Sequence, residues 1–328
     1  GALRLRRWLA LLDSVHGLLS SGRHATSREL FYTHVGLFKR QEQSDDLIKN
    51  ICRTLEVPRH YLRLAGTARG LVRGHLRILE PCLSRGAPGG AEDGGADVGS
   101  WVDGMEPLEP GGHSISPICA HLVRVEANAR TVLVVEKETI FHRLLSEGLL
   151  ERHRPCIMVT GRGFPDVPTR YLLRRIHEDL GGPRILVLAD FDASGLSIGA
   201  TYAFGPEDAW IQDDLALPST VPLVCPGGAA GAARFGLAAA DATPLTARDT
   251  ALASGLLRRL ARLLALQPSD ATAASVATWE RAVHVLLDGG VKYELDAIDR
   301  LSEFVDISLR AEGTAAPRAV AGHAERAP

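Results

Sequence analysis

Residues 185–195 read ILVLADFDASG. An apolar run, Ile185 to Ala189, drives into two aspartates, Asp190 and Asp192, and then into a small-residue turn closed by Gly195. A short continuous apolar run ending in a turn reads as a strand buried on both faces. Residues i and i+2 of an extended chain point the same way, so the two carboxylates face a common point. Like charges that close repel, and the pair asks for a positive charge between them.

The same rhythm recurs on either side. TVLVV (131–135), PCIMVT (155–160) and VPLVC (221–225) are short and nearly all apolar. Between them lie amphipathic stretches, TIFHRLLSEGLLE (139–151) and PTRYLLRRIHEDLGG (168–182), with a shorter one after Gly195. Buried strands alternating with amphipathic helices predict an α/β fold with a Rossmann-like parallel sheet and crossover helices. From about residue 245 the pattern is helical to near the C-terminus.

In such a sheet, sites form at the carboxyl ends of the strands. Glu136 follows TVLVV directly, so adjacent strands would bring Glu136, Asp190 and Asp192 together. Hard oxygen donors with no His or Cys beside them suit Mg²⁺ or Mn²⁺ better than zinc. A D-x-D pair is weak evidence alone, and the plain alternative is that the aspartates cap the helix after Gly195. The strand at 155–160 runs into TGRGFPD, where Gly161 and Gly163 permit a tight turn with exposed amides and Arg162 can reach a phosphate. No G-x-x-x-x-G-K-[ST] motif occurs, which argues against ATP held by a P-loop.

The first part of the chain has another character. LRLRRWLALLDSVHGLLSSG (3–22) has helical periodicity with Gly22 as a stop. TSRELFYTHVGLF (26–38) opens on Thr26 and Ser27 as candidate N-caps, and SDDLIKNICRTLEV (44–57) on Ser44. RHYLRLAGTARGLVRGHLRILE (59–80), broken at Gly70 and Gly74, reads as a basic hairpin. Three short helices followed by a hairpin predict a winged helix-turn-helix domain over 1–80. Residues 81–117 are rich in Gly and Pro and read as a linker or insertion, with SWVDG (100–104) as a short strand inside it. Residues 118–328 form the sheet domain and its helical extension.

The chain has 328 residues, 45% of them hydrophobic and 23% charged, in the range of a globular protein with two cores. No apolar run reaches the length of a membrane span. The first residue is Gly1 and not Met, which fits a natural N-terminus lying further upstream. The five cysteines are scattered, odd in number and form no C-x-x-C, which suits a reducing compartment. The net charge of −2 hides a split. Residues 1–80 carry 14 Lys and Arg against 7 Asp and Glu, a balance of +7; the remainder is acidic. A basic module on an acidic body fits a polyanion for the first and a metal for the second; a merely solvated charged face fits as well.

Within the basic module, Arg28 stands four residues before Tyr32, on the same face of a helix. A tyrosine is a poor nucleophile unless something stabilises the phenolate or draws its proton, and a neighbouring guanidinium can do so. Phe31 is the better core residue of the aromatic pair, which leaves Tyr32 the more exposed. An aromatic at this spacing is otherwise more often simple packing.

Together these residues resemble one family: the catalytic subunit of the meiotic double-strand-break machinery, related to the A-type chain of topoisomerase VI. SRELFYTHVGLF resembles its Arg-acidic-x-aromatic-Tyr stretch, and TARGLVRGHLRI its wing. VLVVEKETIFHRL, MVTGRGFPDVPTR and LVLADFDASG are similar to the signature stretches of its Toprim domain, in order. GGHSISP, TYAFG, PLTARD and VKYELDAI are weaker matches. The resemblance implies that Tyr32 attacks a DNA phosphate, becomes linked to the 5′ end and releases a 3′ hydroxyl. It further implies Arg28 as electrostatic assistant and Glu136, Asp190 and Asp192 as ligands of Mg²⁺ or Mn²⁺. Arg69, Arg73 and Arg162 stand as contacts to double-stranded DNA. The implied active form is a homodimer, clamped by a GHKL-type B subunit into a 2:2 heterotetramer through the apolar stripe Leu9–Leu19, working in the nucleus and on no membrane. Ala193 stands where the family has Pro, and His113 where Lys is common. An A-type topoisomerase chain, a Toprim nuclease using metal-activated water and a non-catalytic DNA-binding scaffold remain alternatives.

Overall fold

The computed structural model describes residues 1–66, 69–81, 99–107, 109–118, 124–206, 215–225 and 227–311. The N-terminal part comprises α1 (Ala2–Ser21), β1 (Ala25–Thr26), α2 (Ser27–Thr33), α3 (Gln41–Leu55) and β2 (Leu64–Ala65), with β1 and β2 paired in parallel. Strands β3 (Leu71–Gly74), β4 (Leu76–Pro81), β5 (Gly99–Asp103), β6 (His113–Ser114), β7 (Arg124–Ala127) and β8 (Thr131–Val135) follow. Then come α4 (Glu138–Ser146), α5 (Leu149–Arg152), β9 (Cys156–Thr160), α6 (Val167–Asp179), β10 (Arg184–Leu188), α7 (Ala193–Phe204), β11 (Thr220–Pro222) and α8 (Gly228–Ala232). The C-terminal part holds β12 (Thr243–Pro244), α9 (Ala247–Ala265), α10 (Asp270–Gly289), β13 (Val291–Lys292) and α11 (Leu301–Ala311).

The main sheet runs β11-β10-β8-β9-β3-β6. Its first four strands are parallel, as the alternation of apolar runs and amphipathic helices predicts. Alternate side chains of β8, β9 and β10 divide between two cores. Leu133, Val135, Met158, Leu186 and Leu188 face one that continues into α4, α7, α9, α10 and α11; Val132, Val134, Ile157, Val159, Ile185 and Val187 face the other, with α6. Both faces are buried, which is why these strands read as uninterrupted apolar runs.

The N-terminal helices close a separate core around Leu11, Val15, Leu30, Phe38, Ile48 and Ile51. Helix α1 stops at Gly22 in the left-handed region (φ 69°), as the sequence predicts, and of the two N-cap candidates for α2 it is Thr26 that caps the helix, in a capping box with Glu29. Ser44 does not cap α3. The helix begins one turn earlier, after Arg40, and the Ser44 hydroxyl is buried and donates to the Gln41 carbonyl.

The expected basic hairpin over 59–80 does not form. β3 pairs antiparallel with β9 and covers the open edge of the parallel sheet, while β4 joins β5 and β7 in a separate three-stranded sheet. The reason lies at Gly74, whose φ of 129° turns the chain out of the sheet. A Cβ there would stand 2.5 Å from the Cys156 carbonyl oxygen. Nor is 81–117 a linker throughout, since the predicted strand at SWVDG is β5 and His113–Ser114 lies at the edge of the main sheet. The remainder of the glycine-rich run, 82–98, lies outside the described residues. No helix among the described residues is long and apolar enough to cross a membrane.

Candidate active site

β8 and β10 are adjacent and parallel, with Val135 opposite Leu188, so the next residues emerge together at the carboxyl edge of the sheet. The Glu136 amide continues the ladder to the Leu188 carbonyl at 2.9 Å, and its carboxylate accepts the Asp190 amide at 3.0 Å. Asp190 is buried and has both oxygens engaged: Oδ1 accepts the Leu295 amide at 2.9 Å, and Oδ2 lies 2.9 Å from Lys137 Nζ. Asp192 accepts the Gly195 amide at 2.6 Å and is the N-cap of α7. The helix-cap reading therefore holds for Asp192 and not for Asp190. Gly195 is required at this turn, because a Cβ would meet the Asp190 carbonyl oxygen at 2.2 Å.

The positive charge beside the aspartate pair is Lys137, a residue that no motif in the sequence singles out. Its ammonium also lies 3.0 Å from Glu294 Oε2 and 2.7 Å from Asp296 Oδ2. Those two acids arrive on the segment after β13. There Tyr293 pairs with Phe191 through both backbone hydrogen bonds, and their rings stack at 4.9 Å. The signal was present in VEKE and VKYELDAI, but only the fold brings these stretches, more than 150 positions apart in number, to one place.

Burial pushes the Glu136 carboxyl up to about 7, against the bond from the Asp190 amide, with Asp190 and Asp192 raising it further. Burial likewise raises Asp190, although Leu295 and Lys137 oppose it. For Lys137, burial lowers the ammonium, but the bonds to Asp296, Asp190 and Glu294 outweigh it and the net shift is upward. A crowded acidic site in which protonation is favoured is short of positive charge, and that fits a hard divalent cation. The bonds above occupy one oxygen of Glu136 and one of Asp192, leaving the other of each available. Among the described residues, however, no three Asp, Glu, His or Cys groups are already set around a metal position. The donor chemistry fits Mg²⁺ or Mn²⁺; the trio is not assembled in advance.

Tyr32 lies on α2 with 58% of its surface exposed. The Arg28 guanidinium sits 5.7 Å from its ring centroid and donates to its hydroxyl at 3.4 Å, and that bond raises the guanidinium further. Phe31 packs against the N-terminal core, as predicted for the pair. No hydrogen bond, ion pair or ring contact joins Arg28 or Tyr32 to Glu136, Asp190 or Asp192 among the described residues.

The other three arginines are scattered. Arg69 is exposed, and its amide donates to Asp166, the N-cap of α6, at 2.7 Å. Arg73 is on β3 inside the main sheet, with its guanidinium on the Pro110 carbonyl at 3.3 Å; it is not on a wing. Arg162 occupies the turn after β9 at φ 56° and pairs with Glu138 at 2.5 Å. His113 bonds Glu80 at 2.9 Å.

Two family models match the chain. The Toprim domain model of the topoisomerase 6 A-subunit/Spo11 family matches residues 131–307, and the type IIB DNA topoisomerase model matches 3–64. The chain belongs to the topoisomerase 6 A-subunit/Spo11 family. It is 29% identical over 296 residues to the meiotic recombination protein SPO11 of Mus musculus and 30% over 296 residues to that of Homo sapiens. Each match covers 90% of this chain and 66% of the relative. The A-subunit of DNA topoisomerase 6 from Arabidopsis thaliana is 32% identical over 198 residues, 60% of this chain and 42% of its own. The chain thus spans no more than two-thirds of the length of these relatives. The family assignment fits the fold: one model ends at Leu64, where β2 closes the N-terminal module, and the other begins at Thr131 with β8.

Proposed function

We propose that this chain is a DNA transesterase that makes double-strand breaks through a 5′-phosphotyrosyl link, in the initiation of meiotic recombination. One observation carries the reading: an exposed Tyr32 hydroxyl in contact with Arg28, in a chain whose separate sheet edge gathers Glu136, Asp190 and Asp192.

Tyr32 is the nucleophile. Its hydroxyl oxygen forms a bond to the backbone phosphorus as the bond to the departing 3′ oxygen breaks. The leaving oxygen takes up a proton, and the tyrosine remains esterified to the 5′ phosphate. Arg28 places a permanent positive charge beside the attacking oxygen, where it favours the added charge of the transition state. Glu136 and Asp192, with Asp190 behind them, are the residues that would hold Mg²⁺ or Mn²⁺, and an ion there would supply positive charge for the phosphate and the leaving oxygen. Arg69 and Arg162, at the surface, steer the duplex; Arg73, turned to a backbone carbonyl, has the weakest claim to a DNA contact.

No hydrogen bond, ion pair or ring contact joins Tyr32 to the acids among the described residues, which supports an active homodimer in which each tyrosine meets its partner's acidic edge. A GHKL-type B subunit is the proposed clamp, giving a 2:2 assembly in the nucleus. On α1, Leu11 and Val15 enter the core and Leu12 and Leu18 pack against it, so of the expected Leu9–Leu19 stripe only Leu9 and Leu19 face outward; with the exposed Leu3 and Leu5 they are the apolar surface this helix offers that partner.

The test is a denaturant-resistant protein–DNA adduct formed by the chain with its partner. Tyr32→Phe removes one exposed oxygen, so fold and DNA affinity should hold while the adduct disappears. An adduct undiminished in Tyr32→Phe would transfer the role to another residue, with Tyr61, 61% exposed, first in line. Cleavage without any adduct would favour metal-activated water.

A further inference from the structure

Lys137 is placed where a cation would compete with it. Its three N–H donors meet three carboxylates, of Asp190, Glu294 and Asp296, at 2.7–3.0 Å. The three acceptors differ in their surroundings. The Asp190 side chain is 11% exposed, whereas those of Glu294 and Asp296 are 73% and 47% exposed. The solvent-facing pair can hold an ammonium at little cost in any of several arrangements. The buried partner cannot lose its counter-charge unless another replaces it.

We propose that Lys137 is a positioning residue that occupies the cation place at Asp190 and is handed to Glu294 and Asp296 when a divalent ion binds. The proposal rests on the metal reading of the acidic edge. Three observations lead to it. Asp190 has no oxygen to spare while Lys137 is in place, because Leu295 holds the other one. Among the described residues the acids do not form a ready metal cage. The acceptors that would retain Lys137 sit on a segment pinned beside the pair by the Phe191–Tyr293 bridge, so the exchange needs only a side-chain swing. Lys137 itself caps the start of α4 in an extended conformation, and nothing on its own helix ties its side chain down.

The sign of one substitution separates a competitor from a mere organiser. A unit positive charge within a few ångströms of a divalent ion repels it, and even at near-aqueous dielectric the repulsion is worth about a tenfold change in affinity. In the full DNA-free chain, Mn²⁺ binding is followed by calorimetry for wild type, Lys137→Met and Glu294→Gln/Asp296→Asn, with Asp190→Asn/Asp192→Asn as control. Lys137→Met should tighten Mn²⁺ by about tenfold. Glu294→Gln/Asp296→Asn, at exposed positions that leave the core intact, should weaken it by several-fold, because Lys137 then has only Asp190. In the Lys137→Met background, that double change should have a smaller effect. Unchanged or weaker Mn²⁺ binding in Lys137→Met would overturn the competitor role. Should that variant not fold, equal weakening by the two exposed changes with Lys137 and with Lys137→Gln overturns it instead. Absence of Mn²⁺ binding in every variant rejects the metal reading itself; binding that survives in Asp190→Asn/Asp192→Asn places the ion elsewhere.

Discussion

In metal-free protein, Glu136→Gln should raise stability at pH 8 and have little effect at pH 5. Burial raises the Glu136 carboxyl from 4.5 to about 7 in the folded state. Below about pH 4.5 the group is protonated in folded and unfolded chains alike and contributes nothing. Between about 4.5 and 7 the folded state binds the extra proton, so stability falls as pH rises. Above about 7 both states are ionised and the full cost remains. A shift from 4.5 to about 7 corresponds to about 3 kcal/mol at pH 8 and under about 1 kcal/mol at pH 5. Gln keeps an oxygen for the Asp190 amide and carries no charge, so most of that cost is relieved. The assay is urea denaturation in the presence of a chelator at the two pH values. With divalent ion added, wild type should gain stability by mass action and Glu136→Gln should gain less. A variant no more stable than wild type at pH 8 without metal would mean that burial among acidic neighbours does not strain the Glu136 carboxylate, and the case for a cation there would lose its main support.

Two further outcomes follow from the charge split and from the separation of the chemical groups. DNA affinity should fall more than tenfold between 50 and 200 mM salt, as counterion release at several phosphates requires, because residues 1–80 carry a balance of +7; an electrophoretic mobility series with a flat response would point to another partner. The isolated chain should sediment as a monomer or weak dimer and cut plasmid DNA poorly, since association costs on the order of several kcal/mol without a clamp; robust double-strand cleavage by a sedimenting monomer would rule out a composite site.

The parallel sheet was legible because β8, β9 and β10 are buried on both faces, and such strands cannot carry a polar residue until they end. Where they end, Glu136 and Asp190 stand out against the apolar run, and their convergence follows once the strands are neighbours. The first module was legible in its first two helices for local reasons: the Gly22 stop and the Thr26 cap are signals read within a few residues. What was not legible depended on distant partners. Strand β3 has the residues of a hairpin arm, and nothing local reveals that Thr160 to Ile157 will take it as a sheet edge. Lys137 reads as one charge among three in VEKE, and its role emerges only when Glu294 and Asp296 fold back onto it.

The two chemical halves are held in different ways, and that difference bears on how they meet. The acidic edge is fixed from several sides, by the β8–β10 ladder, the cap of α7, the Leu295 amide and the Phe191–Tyr293 bridge. Tyr32 sits on a seven-residue helix, and the hydrogen-bond and ring partners of its side chain among the described residues, Arg28 and Phe31, are both on that helix. Between the modules lies a cavity of about 510 Å³ lined by Arg59, Tyr61 and Arg63 on one side and by Asp166, Pro168 and Tyr171 on the other. Contact across this gap includes the Arg69 amide on Asp166 and the edge contact of the His60 and Tyr171 rings. In-line attack needs the nucleophile placed to within a fraction of an ångström, so an acidic edge anchored in this way serves the proposed reaction only if Tyr32 is brought to it and held. On the proposed function the anchored half is the template and Tyr32 the group delivered, which places the role proposed for a second protomer and a clamp on the N-terminal module, where the exposed leucines of α1 are found.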